Sequence, residues 1–188
     1  MKVKVLVPLA NGVEEMEAVI IIDILRRAGI EVVTASIGKT PEVLASRGVR
    51  LIADAMWQDV DPTCFDAIVL PGGSDGTQNL MNDERILTAI KTAAANQKLL
   101  AAVCAAPLVL QAAGVLNKVA ATCHPGVAPQ LTKAHQRMER VVQTTHVITS
   151  QGPGSSMEFA LSVAAQLVDR TIVEKVAAGL ILPPGITW

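Results

Sequence analysis

Apolar positions along this chain switch repeatedly between strand spacing and helix spacing. Val3 to Leu9 is a β-rich run that opens at Ala10-Asn11-Gly12. From Glu14-Glu15-Met16-Glu17 onward, Ala18, Ile21, Ile22 and Leu25 recur at helical spacing until Ala28-Gly29. Ile30 to Ile37 is β-rich again, so residues 3 to 37 read as a βαβ unit with parallel strands and a right-handed crossover. Two short β-rich runs, 43–46 and 49–53, joined near Arg47-Gly48, read as a small inserted hairpin. Phe65 to Leu70 is a core strand ending in Pro71-Gly72-Gly73-Ser74, followed by an exposed helix from about Asp83 to Ala95.

The next stretch organises the rest. Leu99 to Cys104, after Lys98, is continuously apolar, which fits a strand buried on both faces of a parallel sheet, and Ala105 to Ala113 carries helix formers with Pro107 in the first turn. Cys104 therefore sits at a tight strand-to-helix joint, raised above the carboxyl edge of the sheet. A helix start nearby would favour its thiolate, whereas an isolated Cys in an apolar run is also a common small core residue. Beyond it, Lys118 to Thr122 gives a short strand stopping at Cys123-His124-Pro125-Gly126. Arg140 to Val142 and Val147 to Ser150 supply more strand, Gly152 to Ser156 starts a long apolar helix reaching about Asp169, and a last helix covers roughly Ile172 to Leu180. The pattern predicts one α/β domain over residues 1–188 with a mostly parallel sheet and a hairpin insertion.

Composition narrows the partners. With 188 residues, 51% hydrophobic content and a formal net charge of -1, the chain holds ample material for one core and shows no basic, aromatic-interleaved patch for nucleic acid. The opening Met1 to Pro8 is too short and too soon interrupted for a signal peptide, and no apolar span is long enough for a membrane helix, so a cytoplasmic location is expected. The odd number of widely spaced cysteines, Cys64, Cys104 and Cys123, argues for thiols and against a disulfide framework or a CxxC metal motif. No metal or organic cofactor is expected.

Ligands of open α/β sheets bind where strand ends collect. Four loops meet there: 11–17, 71–74, the Cys104 elbow and 123–126. Glu14, Glu15 and Glu17 suit a helix's first turn on dipole grounds alone, and Gly72-Gly73 supplies special backbone angles. Together they offer more. A Glu beside a thiolate in a dry pocket tends to keep its proton, so Glu17 is the expected partner of Cys104; the N–H groups of Gly73 and Ala105 are candidate oxyanion donors, and His124 a candidate proton shuttle. Cys123 adds a second thiol, Cys64 reads as a loop thiol, and His135 and His146 lie in polar stretches.

Gly12 to Glu17, Arg26-Arg27-Ala28-Gly29, Ser46-Arg47, Leu70-Pro71-Gly72-Gly73, Ala101 to Ala105, His124-Pro125 and Thr149 to Gly154 together resemble the DJ-1/ThiJ/PfpI superfamily, in the branch of the Parkinson disease protein seven and the bacterial ThiJ-type proteins. The resemblance spans almost the whole chain. It implies a flavodoxin-like three-layer α/β/α sandwich that forms a homodimer, with Cys104 as oxidisable nucleophile, Glu17 as its acid partner, His124 as the nearby histidine, and Arg27 and Arg47 close to the dimer interface. The activities it implies are cofactor-free conversion of methylglyoxal or glyoxal to hydroxy acids and deglycation. A redox-dependent sensor or chaperone role through a Cys104 sulfinate is the alternative. Ala105 stands where peptidase relatives place a His, so a Cys-His-acid peptidase is not supported. Gln151 stands where some members carry Arg.

Overall fold

The computed structural model describes residues 2–188. β1 (Lys4–Leu9), α1 (Glu15–Arg27) and β2 (Glu31–Ser36) form the expected βαβ unit, and the hairpin follows as β3 (Glu42–Leu44) and β4 (Arg50–Ile52). A short edge strand, β5 (Ala55–Met56), precedes β6 (Ala67–Leu70). Then come two helices, α2 (Ser74–Met81) and α3 (Glu84–Ala95), and β7 (Leu99–Val103). α4 (Pro107–Ala112), β8 (Ala120–Ala121), β9 (His135–Gln136), β10 (Val141–Gln143), β11 (Val147–Ser150), α5 (Ser156–Leu167) and α6 (Arg170–Leu180) complete the chain.

The main sheet runs β10-β11-β7-β6-β1-β2-β5, parallel throughout except for the β10–β11 edge pair. Alternate residues of each central strand feed opposite layers. Val5, Val7 and Leu9, with Ala67, Val69, Leu99, Ala101 and Val103, pack on α1, α5 and α6; Leu6, Ile68, Leu70, Leu100 and Ala102 pack on α2, α3 and α4. Both faces being covered, the strands read as continuous apolar runs rather than as alternating ones. The three-layer α/β/α sandwich expected from the sequence is the fold observed.

Two elements differ from the sequence reading. α2 occupies a stretch, Ser-Asp-Gly-Thr-Gln-Asn-Leu-Met, whose Gly, Asp and Asn favour turns, so only tertiary packing makes it helical. α4 has six residues and begins at Pro107, three positions past Cys104, so the helix start is further from the sulfur than expected. Among the described residues, no helix is long and apolar enough to cross a membrane.

Candidate functional site

Cys104 directly follows β7 and has a left-handed backbone, φ +63°. For a residue with a side chain this costs about 1–2 kcal/mol and persists only where neighbours enforce it. Main-chain bonds enforce it here. Cys104 N–H donates to Ser150 O at 2.9 Å, Cys104 O accepts from His124 N–H at 2.8 Å, and Ala106 N–H donates to Val103 O at 3.0 Å. The turn also breaks strand alternation: Val103 faces the α1 layer, and Cys104, which an extended chain would turn away, packs on that layer too. The elbow thus delivers the thiol to the side on which Glu17 lies.

Glu17, in the first turn of α1, has no exposed surface. Its Oε2 accepts Gly72 N–H at 2.7 Å, while Oε1 has no hydrogen-bond partner among the described residues. Burial dominates and pushes its pKa up to about 7, with the charge of Glu14 adding to the rise and the Gly72 N–H and the Cys104 thiol opposing it. The thiol is pushed up to about 12, by burial first and then by the charge and contact of Glu17. Against this act the N–H groups of Gly73 and Ala105, which face the sulfur. The expectation of an independently acidic thiol at a helix start is therefore corrected: with α4 set back and Glu17 alongside, thiol and carboxyl form one unit. It loses a first proton near neutrality and resists losing the second.

Glycine makes this proximity possible. A Cβ on Gly72 would lie 2.6 Å from Cys104 Cβ and 2.7 Å from Glu17 Oε2, so any side chain there would separate the two groups. Gly73 has φ +94°, and a Cβ on it would meet Gly12 O at 2.3 Å. The role of Gly72 escaped the sequence reading; the doubled glycine at a strand end was its only signal.

His124 comes to the elbow through its main chain, and its exposed ring lies near Gly152. Nδ1 accepts Gly126 N–H at 3.0 Å, which places the proton of a neutral ring on Nε2. The other acidic residues of the α1 start have structural roles. Glu14 caps the helix, its Oε2 accepting Glu17 N–H at 2.7 Å. Glu15 ties α1 to the hairpin, accepting from Ser46 Oγ at 2.7 Å and Arg47 N–H at 2.9 Å.

The remaining candidates lie apart from the sulfur. Arg27 pairs with Asp23 at 2.5 Å on the outer face of α1, and the Arg47 guanidinium donates to Ser46 O at 3.2 Å. Cys123 is buried in the α3/α4 layer, the opposite layer from Cys104. Gln151 donates to Met138 O at 2.9 Å, Cys64 is exposed beside Asp61, and His135 and His146 are exposed. Among the described residues no group of three or more His, Cys, Asp or Glu is placed to hold a metal. A groove of about 480 Å³ between Trp57 and α3 receives none of the four loops.

Residues 3–166 match the DJ-1/PfpI family. Protein DJ-1 homolog B of Arabidopsis thaliana is 41% identical over 168 residues, 89% of this chain, which spans only 38% of that relative's length. Protein dj-1beta of Drosophila melanogaster is 38% identical over 94% of this chain and 96% of its own. Its crystal structure superposes with a TM-score of 0.94, covering 97% of this chain and all of that one. A third relative, 35% identical over 82% of each chain, is the glutathione-independent glyoxalase DJR-1.2 of Caenorhabditis elegans. With the family match covering most of the chain and the same fold in a relative of similar length, this protein belongs to the DJ-1/PfpI family.

Proposed function

We propose that this protein is a cofactor-free enzyme acting on small dicarbonyls such as methylglyoxal and glyoxal, with Cys104 as nucleophile. The observation that carries the reading is the buried Glu17 carboxyl, its Oε1 unpartnered, alongside a thiol that the backbone holds in a strained elbow. The glyoxalase name of the Caenorhabditis elegans relative agrees with it. The sulfur adds to the aldehyde carbon, giving a hemithioacetal whose oxygen takes the proton held by Glu17 while Gly73 and Ala105 N–H stabilise the developing charge. Glu17, now a carboxylate, removes the hydrogen on that carbon, and the neighbouring carbonyl carbon receives a proton through an enediol. The product is a thioester of a 2-hydroxy acid. Water, oriented by the His124 Nε2–H and giving its proton to the Glu17 carboxylate, hydrolyses it and releases the sulfur, which restores the pair with its one shared proton. One water is consumed, and oxidation of the aldehyde carbon is balanced by reduction of its neighbour.

The direct test is methylglyoxal turnover without glutathione, comparing wild type with Cys104→Ala; similar rates would remove the mechanism. Deglycation of proteins would follow from the same chemistry acting on an early hemithioacetal adduct.

A redox-sensor role uses the same geometry, because Gly73 and Ala105 N–H and a protonated Glu17 would hold the oxygens of a Cys104 sulfinate. Intact mass after mild peroxide decides it: Cys104 should gain two oxygens before the exposed Cys64 reacts. A homodimer is proposed through α1 and the hairpin, where Met16, Val19, Leu44, Val49 and Ile52 are exposed and the Arg47 turn is tied to Glu15. Val19→Glu should give a monomer in light scattering.

A further inference from the structure

The peptide between Gly72 and Gly73 is held at both ends. Its C=O accepts Glu14 N–H at 3.0 Å, and its N–H faces the Cys104 sulfur. A trans peptide is planar with N–H and C=O pointing in opposite directions, so pinning one end aims the other. What holds Glu14 and this peptide in register is the seat of α2 on the loop after β1. Three glycines make that seat: a Cβ on Gly12 would lie 2.5 Å from Asp75 Cβ, one on Gly73 would lie 2.6 Å from Glu14 N, and one on Gly76 would lie 2.8 Å from both Val13 Cα and Val13 N.

Gly76 differs from the other two. It lies inside α2 with an ordinary helical backbone, where alanine would be favoured by about 0.5–1 kcal/mol on helix propensity alone. Helix formation therefore does not explain a glycine there. The close approach to the Val13 main chain does, since main-chain atoms cannot turn aside as a flexible side chain can.

We propose that Gly76, which touches neither Cys104 nor Glu17, is a positioning residue: its missing side chain lets α2 sit on Val13, and that contact aims the Gly73 N–H at the sulfur. Alanine at 76 lifts the first turn of α2 away from the loop and carries the Gly72–Gly73 peptide with it. The sulfur then loses part of one of its two facing N–H donors. The titratable groups around the sulfur are Glu17 from α1, Glu14 behind it and His124 from the turn after β8. Alanine adds no charge to this set, so a changed titration reports geometry.

The inference rests on reading Cys104 as the nucleophile, and its test reads thiol alkylation rather than turnover. In the full-length protein, Gly76→Ala should slow iodoacetamide alkylation of Cys104 at neutral pH by about three- to tenfold and move its pH profile upward. Gly179→Ala, in α6 with no atom near the added Cβ, is the control and should leave the profile unchanged. A folded Gly76→Ala protein with the wild-type profile overturns the proposal. If that variant does not fold, the wild-type Gly73 amide resonance followed across pH decides: it should titrate with the midpoint of Cys104 alkylation, and a flat response overturns the proposal. Turnover surviving in Cys104→Ala would remove the enzymatic reading while leaving these outcomes to be judged separately.

Discussion

Glu15 and Glu17 stand two residues apart in the first turn of one helix, both almost fully buried, and have opposite fates. Burial disfavours the Glu15 charge, but Ser46 Oγ, the main-chain N–H groups of Glu15 and Arg47, and the Arg47 guanidinium more than compensate, leaving its pKa below the ordinary carboxylate value. Glu17 receives one main-chain N–H and a thiol, and faces the charge of Glu14, so burial prevails. One carboxylate fastens the hairpin to the sheet edge. The other is held in a state unfavourable to its charge, and that is the state in which it can keep and pass a proton at neutral pH.

Substitutions at the two positions should separate these roles. The largest expected effect is on catalysis: Glu17→Gln keeps the shape but cannot cycle a proton, and dicarbonyl turnover should fall by about 10²-fold or more. Next comes stability. Because Glu17 has its folded-state pKa raised from 4.5 to about 7, the folded state favours the protonated form. The stabilisation relative to a charged side chain is complete below about 4.5 and is lost as pH rises to about 7. That difference corresponds to about 3 kcal/mol, so in thermal melts Glu17→Gln should match wild type near pH 4 and exceed it by several degrees at pH 8. Equal melting temperatures at both pH values would count against the buried-acid assignment.

Glu15→Gln has the opposite sign. The depressed pKa of Glu15 means its contribution is present above about 4.5 and fades as pH falls below it. Denaturant unfolding at pH 7 should show a loss of about 1–2 kcal/mol, with Cys104 alkylation unchanged; a changed alkylation profile would join two sites held here to be separate. The smallest expected effect is Gly179→Ala, a gain of about 0.5–1 kcal/mol from helix propensity in open space, measurable in the same unfolding experiment.

The architecture was legible in the sequence because parallel strands covered on both faces leave uninterrupted apolar runs, and α1 carries a clear helical stripe. The elbow was legible for the same reason: Leu99 to Val103 ends abruptly at Cys104 with Pro107 close behind. α2 was not, since Asp75, Gly76 and Asn79 favour turns locally and the helix beginning at Ser74 depends on tertiary packing, the burial of Leu80 and the close seat on Val13 included. Nor could three acids in one helical turn be told apart by spacing. Which of them caps, which fastens and which keeps one oxygen without a partner among the described residues depends on Ser46 and Gly72, brought in from 31 and 55 residues away. Cys123 is adjacent to His124 in the chain, yet its side chain is buried in the opposite layer from Cys104.

The account stands on a thiol and a carboxyl that share one proton, and alkylation of Cys104 measured against pH tests this most directly. Wild type should show a rise centred near pH 7, where the pair loses its first proton, followed by a plateau. In Glu17→Gln that rise should disappear, and the thiol should titrate alone, below the value of about 12 to which burial and, after it, a charged Glu17 push it. A single transition near the free-thiol value of about 8.5, the same in wild type and in Glu17→Gln, would contradict the account.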